Sequence, residues 1–502
     1  MYKAVVLSLV SLALTNGSLA PRACAEAIVE EPIYEVTIGQ AHQGSLKFDT
    51  LLLDSYGRPS DPQREFYLAA RKILTTSVNT SPWDPRIVQA AQEQELPLIS
   101  GPMLGNLTSS GVTVWVRPAR LDSLNVQVRP RGGEERVFTA AADRPGAATR
   151  IDLTGLPPDT PHEYRILSGS GRELGNGAFR TAPAPDAAET VRIGFGSCFH
   201  KIGVQNPNLM RRVAERGNHA VLLLGDLAVD DRDADLNLHQ ADYLLRDASK
   251  AWRAFSASIP IYASWDDHDY LNNDKSGLQE GQIDDAQRDA LRKLWEENWA
   301  NPPTTVEGRG IYFNTVIGGV EVIMLDTRSC RRWDLRNQRG SYLGDAQKQW
   351  LLRTLKASTA KFIVLTSGTM WSDCMSKGKD SWGTWDTQER EELFGFIEAN
   401  GIGGVVLLSG DRHGARGFRI ERPSGFTFYE FEAATLGGVP GPEAFAPDAS
   451  TQIFGYAAGL KAFGELEFNL GKPDPELTFC LVDEQGEELE KHTLTRSQMT
   501  PK

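Results

Sequence analysis

The hydrophobic rhythm of this chain changes three times. Between about 98 and 181, apolar and polar residues alternate in short runs at 112–116, 124–128, 136–139, 149–153 and 163–167, divided by Gly, Pro and Ser. Period-two alternation with closely spaced turns predicts an antiparallel β-sandwich. From about 190 the runs become unbroken: 191–196, 221–224, 259–263, 320–325, 362–365 and 405–408, each ending in polar residues. Between them lie amphipathic stretches at 209–216, 241–255, 286–299, 346–355 and 388–400. Strand, polar terminus and helix in repetition predict a layered α/β domain whose reactive groups collect at the strand ends. Runs at 466–470 and 477–481 read as its closing strands.

The remaining segments are simpler. Residues 61–73 and 85–94 have helical composition, with Pro62 and Pro85 suited to first-turn positions. They carry no evident chemistry, so 26–96 is expected to be a packing arm or cap. Residues 97–182 form the sandwich, 183–189 a Pro- and Ala-rich linker, and 190–495 the α/β domain. The turn Leu156-Pro157-Pro158-Asp159-Thr160 leading to Tyr164 resembles the tyrosine corner of immunoglobulin-like and fibronectin type III domains. There a buried Tyr hydroxyl satisfies backbone where the chain changes sheets.

Composition narrows the classes. A net charge of -13 argues against a nucleic-acid partner, because phosphate-tracking surfaces are basic. It leaves a phosphorylated substrate open, since bound metal reverses the local field. Lys3, the apolar run 4–14 and Ala23-Cys24-Ala25 read as a signal peptide over 1–25. The run is too short to span a bilayer, and no other segment approaches about 20 apolar residues. A soluble periplasmic or secreted protein is expected, without a transmembrane segment. Of the cysteines left after Cys24, Cys330 and Cys374 follow strand-like runs and are the candidate disulfide pair.

The strand ends carry the chemistry. Ser264-Trp265-Asp266-Asp267-His268-Asp269-Tyr270 gathers three carboxylates and an imidazole, whose repulsion calls for a cation. Cys198 follows Gly196-Ser197, Asp226 follows Gly225, and Asp411 and His413 follow Gly410. Thiolate, carboxylate and imidazole on one rim fit two or more metals: iron or zinc at one position, calcium, manganese or magnesium at another. A bridging carboxylate, Asp226, would hold ions roughly 3.5–4 Å apart and acidify a bound water to a nucleophilic hydroxide. His268, beside Asp267, is placed to protonate a leaving alkoxide. Arg328, Arg412, Arg416 and His200 are candidates to hold phosphate oxygens, with an ion pair to one of the nearby Asp residues the equal alternative for each; Trp371, Trp382 and Trp385 are candidates for a lip at the leaving group, against core packing as the commoner fate of Trp.

Five ordered motifs carry a family resemblance: Gly196-Ser197-Cys198; Gly225-Asp226 with Asp231; Trp265-Asp266-Asp267-His268-Asp269 with Asn272-Asn273; Leu325-Asp326-Thr327-Arg328; and Ser409-Gly410-Asp411-Arg412-His413. The segment Gly344-(x)2-Gln347-(x)2-Trp350-Leu351 supports it. Over about 98–493 the chain resembles the PhoD-like alkaline phosphatases of the calcineurin-like metallophosphoesterase superfamily. The resemblance implies a four-layer α/β/β/α core after an all-β domain, an iron-plus-calcium or comparable centre, and hydrolysis of phosphate mono- or diesters. It implies metal ligation by Cys198, Asp226, Asp267, Asp411 and His413, and catalysis by His268. Val229 stands where the family often has a Tyr ligand. That loss leaves room for Asp230, Asp231 or a metal other than ferric iron, and Asp231 is taken as a ligand with Asn272, Arg328 and Arg416 as substrate contacts. A small phosphate ester or phospholipid-like molecule is the expected substrate. A phospholipase D-type phosphodiesterase is the alternative enzyme, and a non-catalytic calcium- or phosphate-binding protein the alternative from another class.

Overall fold

Fully apolar strands stay buried only when both faces are covered, and the computed structural model covers them with a second sheet inside and helices outside. It describes residues 29–57, 61–77, 80–278, 283–304, 309–335, 342–372 and 381–502. The expected signal peptide and Cys374, half of the expected disulfide, lie outside these residues.

Among the described residues the arm before the all-β sheets holds four helices, α1 (Ile38–His42), α2 (Leu46–Leu53), α3 (Pro62–Thr76) and α4 (Pro85–Glu93). Asp61 and Asp84 cap α3 and α4, each followed by the proline that suits a first turn. Next come β1 (Leu98–Thr108), β2 (Gly111–Pro118), β3 (Ser123–Pro130), β4 (Arg136–Ala141), β5 (Thr149–Leu153), β6 (Pro161–Ser168) and β7 (Glu173–Arg180). They form two antiparallel sheets, ordered β1-β2-β5 and β4-β3-β6-β7. The Tyr164 hydroxyl does not close a corner within these sheets. It donates to the Ala257 carbonyl at 3.1 Å and so ties them to the following domain.

That domain begins with β8 (Thr190–Gly196), α5 (His200–Gly203), α6 (Pro207–Glu215), β9 (Ala220–Leu224), α7 (Leu236–Ala248), α8 (Lys250–Ser256), β10 (Ile261–Ser264), α9 (Asp267–Tyr270) and α10 (Asp285–Asn298). It continues with β11 (Phe313–Ile317), β12 (Val320–Met324), α11 (Gly344–Ala357), β13 (Phe362–Thr366), α12 (Trp382–Trp385), α13 (Thr387–Ala399), β14 (Val405–Leu408), β15 (Ala415–Glu421), β16 (Thr427–Ala433), β17 (Gln452–Gly455), β18 (Ala462–Asn469), β19 (Glu476–Asp483) and β20 (Glu488–Thr495). The helix expected over 241–255 is two helices. Ser249 caps α8 by accepting from the Trp252 amide and donates to the Val204 carbonyl, which ends α7.

One sheet runs β10-β9-β8-β18-β19-β20 and the other β11-β12-β13-β14-β16-β15-β17. Ile193, Phe195, Leu222 and Phe479 meet Val322, Val364, Val406 and Phe431 in the core between them. Val221, Leu223 and Ala263 pack outward on Leu209, Val213 and Trp252, while Ile323, Leu365 and Leu407 pack on Leu351, Leu393 and Ile397. The result is four layers, α/β/β/α. Because β8, β9 and β10 are parallel, and β12, β13 and β14 likewise, their carboxyl ends share one edge.

The arm docks on this edge through buried charge. Asp49, fully buried, accepts from the Tyr67 hydroxyl at 2.7 Å and pairs with Lys201 at 2.5 Å, in the helix that follows Cys198. Lys201 also meets Asp242 at 3.0 Å, and Asp242 holds Arg232 at 2.7 Å. The Arg232 guanidinium then donates to the carbonyls of His42 and Ala41 in α1.

A candidate metal centre at the strand ends

Residues that close a strand and turn at once often take left-handed backbone, which non-glycine residues avoid. Cys198, His200, Asp226, Asp231, Asp411 and His413 all have φ between 47° and 73°. Such strain persists where surrounding structure enforces it, and here it aims each side chain across the sheet edge. Gly225, at φ 103°, lets the two inner turns touch: a Cβ there would lie 2.4 Å from the Asp266 Cβ.

Among the described residues, five sets of ligand atoms each gather within 4.8 Å, and two have four members: Cys198, His200, Asp226 and His413, and Asp226, Asp266, Asp267 and Asp411. In the first, His200 Nδ1 sits 2.7 Å from Asp230 and His413 Nδ1 2.8 Å from the Val439 carbonyl. Those bonds fix the proton on Nδ1 in each ring and leave both Nε2 lone pairs facing one another at 3.3 Å. Two converging lone pairs beside a carboxylate and a sulfur repel unless a cation lies among them. Burial, reinforced for His413 by His200, pushes both imidazoles below their usual range, His413 to about 3, so both stay neutral. Burial and the Asp226 charge push the Cys198 thiol well up. Only a cation would make it a thiolate.

The second group is organised by Arg328. Its fully buried guanidinium takes Asp266 in a fork at 2.5 and 2.8 Å and lies 3.7 Å from Asp267 and 3.9 Å from Asp411. Arg328 therefore braces the carboxylates from within rather than meeting substrate, and with its fork engaged on Asp266 the candidate ligands of this group are Asp226, Asp267 and Asp411. Burial and the neighbouring Asp267 raise the Asp226 carboxyl well above the usual range. Against burial, Arg328 and His268 hold Asp267 well below it. Asp226 Oδ1 and Asp267 Oδ1 are buried without hydrogen-bond partners, as expected of groups that accept from a metal instead. Asp226 belongs to both groups. The donor set fits two cations.

His268 lies beside the second group, close to Asp226 and Asp267. Its Nδ1 is 2.6 Å from Asp231 Oδ1, which turns Nε2 toward the carboxylates. Burial opposes a charged ring, but Asp267, Asp226 and the bond to Asp231 prevail and hold His268 well above its ordinary range. Asp231 thus partners His268; it lies outside both four-membered sets but forms a three-membered one with His42 and His268. Asn272 sits at the half-buried end of the same loop, its amide 3.4 Å from Asp233.

Several expectations change. Arg416 is buried, paired with Glu432 at 2.8 Å; it donates to the Arg412 carbonyl while Glu432 accepts from the Arg412 amide. The pair clamps the turn that presents Asp411 and His413 and leaves no guanidinium for substrate. Arg412, with 27% of its side chain exposed, is the arginine at the rim. His200 faces the metal ligands rather than substrate. Trp371, Trp382 and Trp385 are buried in the outer core, Trp371 and Trp382 stacked at 4.8 Å, so they form no lip. The arm is not free of chemistry: His42 lies 3.0 Å from Asp231, its ring 4.7 Å from His268. The Cys-x-His spacing of Cys198 and His200 was a usable signal for His200, whereas His42 had none.

A four-layer α/β/β/α core with carboxylate, imidazole and thiol donors at its strand ends defines a metal-dependent phosphoesterase. The profile of the PhoD-like phosphatase family matches residues 209–486, and the chain belongs to that family. Alkaline phosphatase D of Bacillus subtilis (strain 168) is 25% identical over 430 residues, covering 72% of this chain and 72% of the relative. Among solved structures, that of PhoD superposes with a TM-score of 0.63 at 18% identity, covering 82% of this chain and 94% of that one. The purple acid phosphatase PPD1 from yellow lupin seeds follows at 0.58 and 12%, covering 79% and 74%. At these identities the two structures speak to the fold alone.

Proposed function

We propose that the chain is an exported hydrolase of small organic phosphate esters, mono- or diesters, that works through two cations sharing Asp226. The observation that carries this reading is the convergence of Cys198, His200, Asp226 and His413 on one point and of Asp226, Asp267 and Asp411 on the next. Sulfur and imidazole donors suit zinc or iron at the first, and carboxylates alone suit calcium, magnesium or manganese at the second. With Val229 buried and unable to ligate, His200 takes the place of a phenolate. Cys198, His200, Asp226 and His413, with Asp267 and Asp411, would hold cations there, whose chemistry would be to acidify a water as nucleophile and to offset charge on the phosphoryl oxygens.

The chain's own residues do the rest. Arg412 reaches the rim and meets a phosphate oxygen. As the new oxygen–phosphorus bond forms and the ester bond breaks, the departing alkoxide takes the proton from His268 Nε2. Asp231 keeps Nδ1 protonated and the ring aimed. The leader-like residues 1–25 support export.

Purified protein should hydrolyse an aryl phosphate or bis-aryl phosphate, lose turnover to chelator and regain it with metal. His268→Ala should retain its metal and lose about 10²- to 10⁴-fold in kcat, most with poor leaving groups. No turnover of either ester with any divalent cation, or loss of metal from the variant, would overturn the assignment.

A further inference from the structure

The arm preceding the all-β sheets lies outside the residues that match the family, yet it ends its first helix beside the catalytic rim. Thr37 caps α1 in a reciprocal box with Gln40, which fixes the direction of this single turn and leaves His42 as its last residue. His42 Nδ1 is 3.0 Å from Asp231 Oδ2, while His268 Nδ1 is 2.6 Å from Asp231 Oδ1. One carboxylate therefore bridges two imidazoles, one oxygen to each. The Asn273 amide also donates to Oδ1, at 3.1 Å, so His42 is the partner of Oδ2 alone; without it that oxygen loses this contact and the carboxylate, held on one side only, can tilt and carry His268 with it.

We propose that His42 is a positioning residue of the active site: by holding Asp231 Oδ2 it locks the carboxylate that aims His268. The inference rests on the reading of His268 as the proton donor. The docking of the arm supports it. The run Asp49, Lys201, Asp242, Arg232 ends on the carbonyls of Ala41 and His42, so the α1 backbone is held by buried charge on the same element that follows Cys198 and His200. Such rigidity is unnecessary for a cover but needed for a residue that sets an angle. The carbonyl bonds involve no side-chain atom of His42, so replacing the imidazole leaves the arm's anchors in place.

The test compares His42→Phe, which keeps the ring volume without a donor, with His42→Asn, whose amide nitrogen falls near Nδ1. In the metal-loaded enzyme, His42→Phe should lower kcat for an alkyl phosphate about tenfold or more, with KM and metal content near wild type. It should have much less effect on a p-nitrophenyl ester, whose leaving group needs no proton. His42→Asn should restore most of the loss. In a His268→Ala background the His42→Phe substitution should add nothing. A second readout needs no turnover: the far-downfield proton resonance of the His268 Nδ1–H···Asp231 bond should be lost or shifted in His42→Phe and return in His42→Asn. An equal loss for both esters, an additive loss in the His268→Ala background, or an unmoved resonance would overturn the proposal. If His268→Ala itself shows no dependence on the leaving group, the reading of His268 has failed. If it does and His42→Phe does not, only the role of His42 has.

Discussion

Replacing Arg328 by methionine tests whether the acidic strand ends are built around an internal cation. The guanidinium and Asp266 are both fully buried and joined by two charge-assisted bonds, at 2.5 and 2.8 Å. Methionine fills similar volume without a donor and leaves the Asp266 carboxylate in a dry site. Breaking such a pair costs about 3–5 kcal/mol, far above the roughly 1 kcal/mol or less of an exposed pair. Arg328 also lies within 4 Å of Asp267 and Asp411, so its loss leaves those carboxylates less compensated, above all without metal. Thermal unfolding of the chelated protein should shift down by about 6–10 °C, taking roughly 2 °C per kcal/mol for a large domain. Adding a divalent cation should return part of the shift, because cations at Asp267 and Asp411 replace some of the missing charge. Combining the substitution with Asp266→Asn should recover stability relative to the single variant, since the stranded charge is gone. A shift of less than about 2 °C in the chelated protein, or a double variant as unstable as the sum of its parts, would refute the reasoning.

Other outcomes follow from the same geometry. Gly225→Ala places a Cβ 2.4 Å from that of Asp266 at a φ of 103°, and should destabilise the domain by about 3 kcal/mol while impairing metal uptake, read by denaturant titration and elemental analysis. Glu389, which belongs to none of the candidate ligand sets, has its carboxyl pushed up to about 7 by burial while two backbone amides at Tyr342 and Leu343 donate to it. Its proton is held by the native state and released by the unfolded state between about pH 4.5 and 7, so its stabilising effect is complete below that window and falls as pH rises through it. Glu389→Gln should match wild type near pH 4.5 and exceed it by up to about 3 kcal/mol at pH 8. A difference that does not change with pH would contradict the buried, protonated state.

The parts of the fold read from sequence were those whose period is set locally. Alternation found β2 to β6, and unbroken apolar runs found the parallel strands, because burial on both faces excludes polar residues. β1 and β7 were missed because Gly101, Pro102 and Gly105, and Gly175 and Gly177, interrupt their patterns. That Cys198, Asp226, Asp267, Asp411, His413 and His268 come together was legible because each stands at a strand end, and the parallel strands bring those ends to one edge. Arg328 and Arg416 were placed near the site but given the wrong role, because charge alone does not tell whether a guanidinium faces inward to a carboxylate or outward to substrate. His42 was invisible, since only the docking of the arm, through Asp49 and Lys201, brings it to Asp231.

The central claim is that Asp226 is shared by two cations, and metal content per chain tests it most directly. Elemental analysis should find at least two metal ions bound to the wild-type protein, a substantial loss of both in Asp226→Asn, and loss of one alone in Cys198→Ser. An Asp226→Asn protein that keeps its full complement would contradict the account.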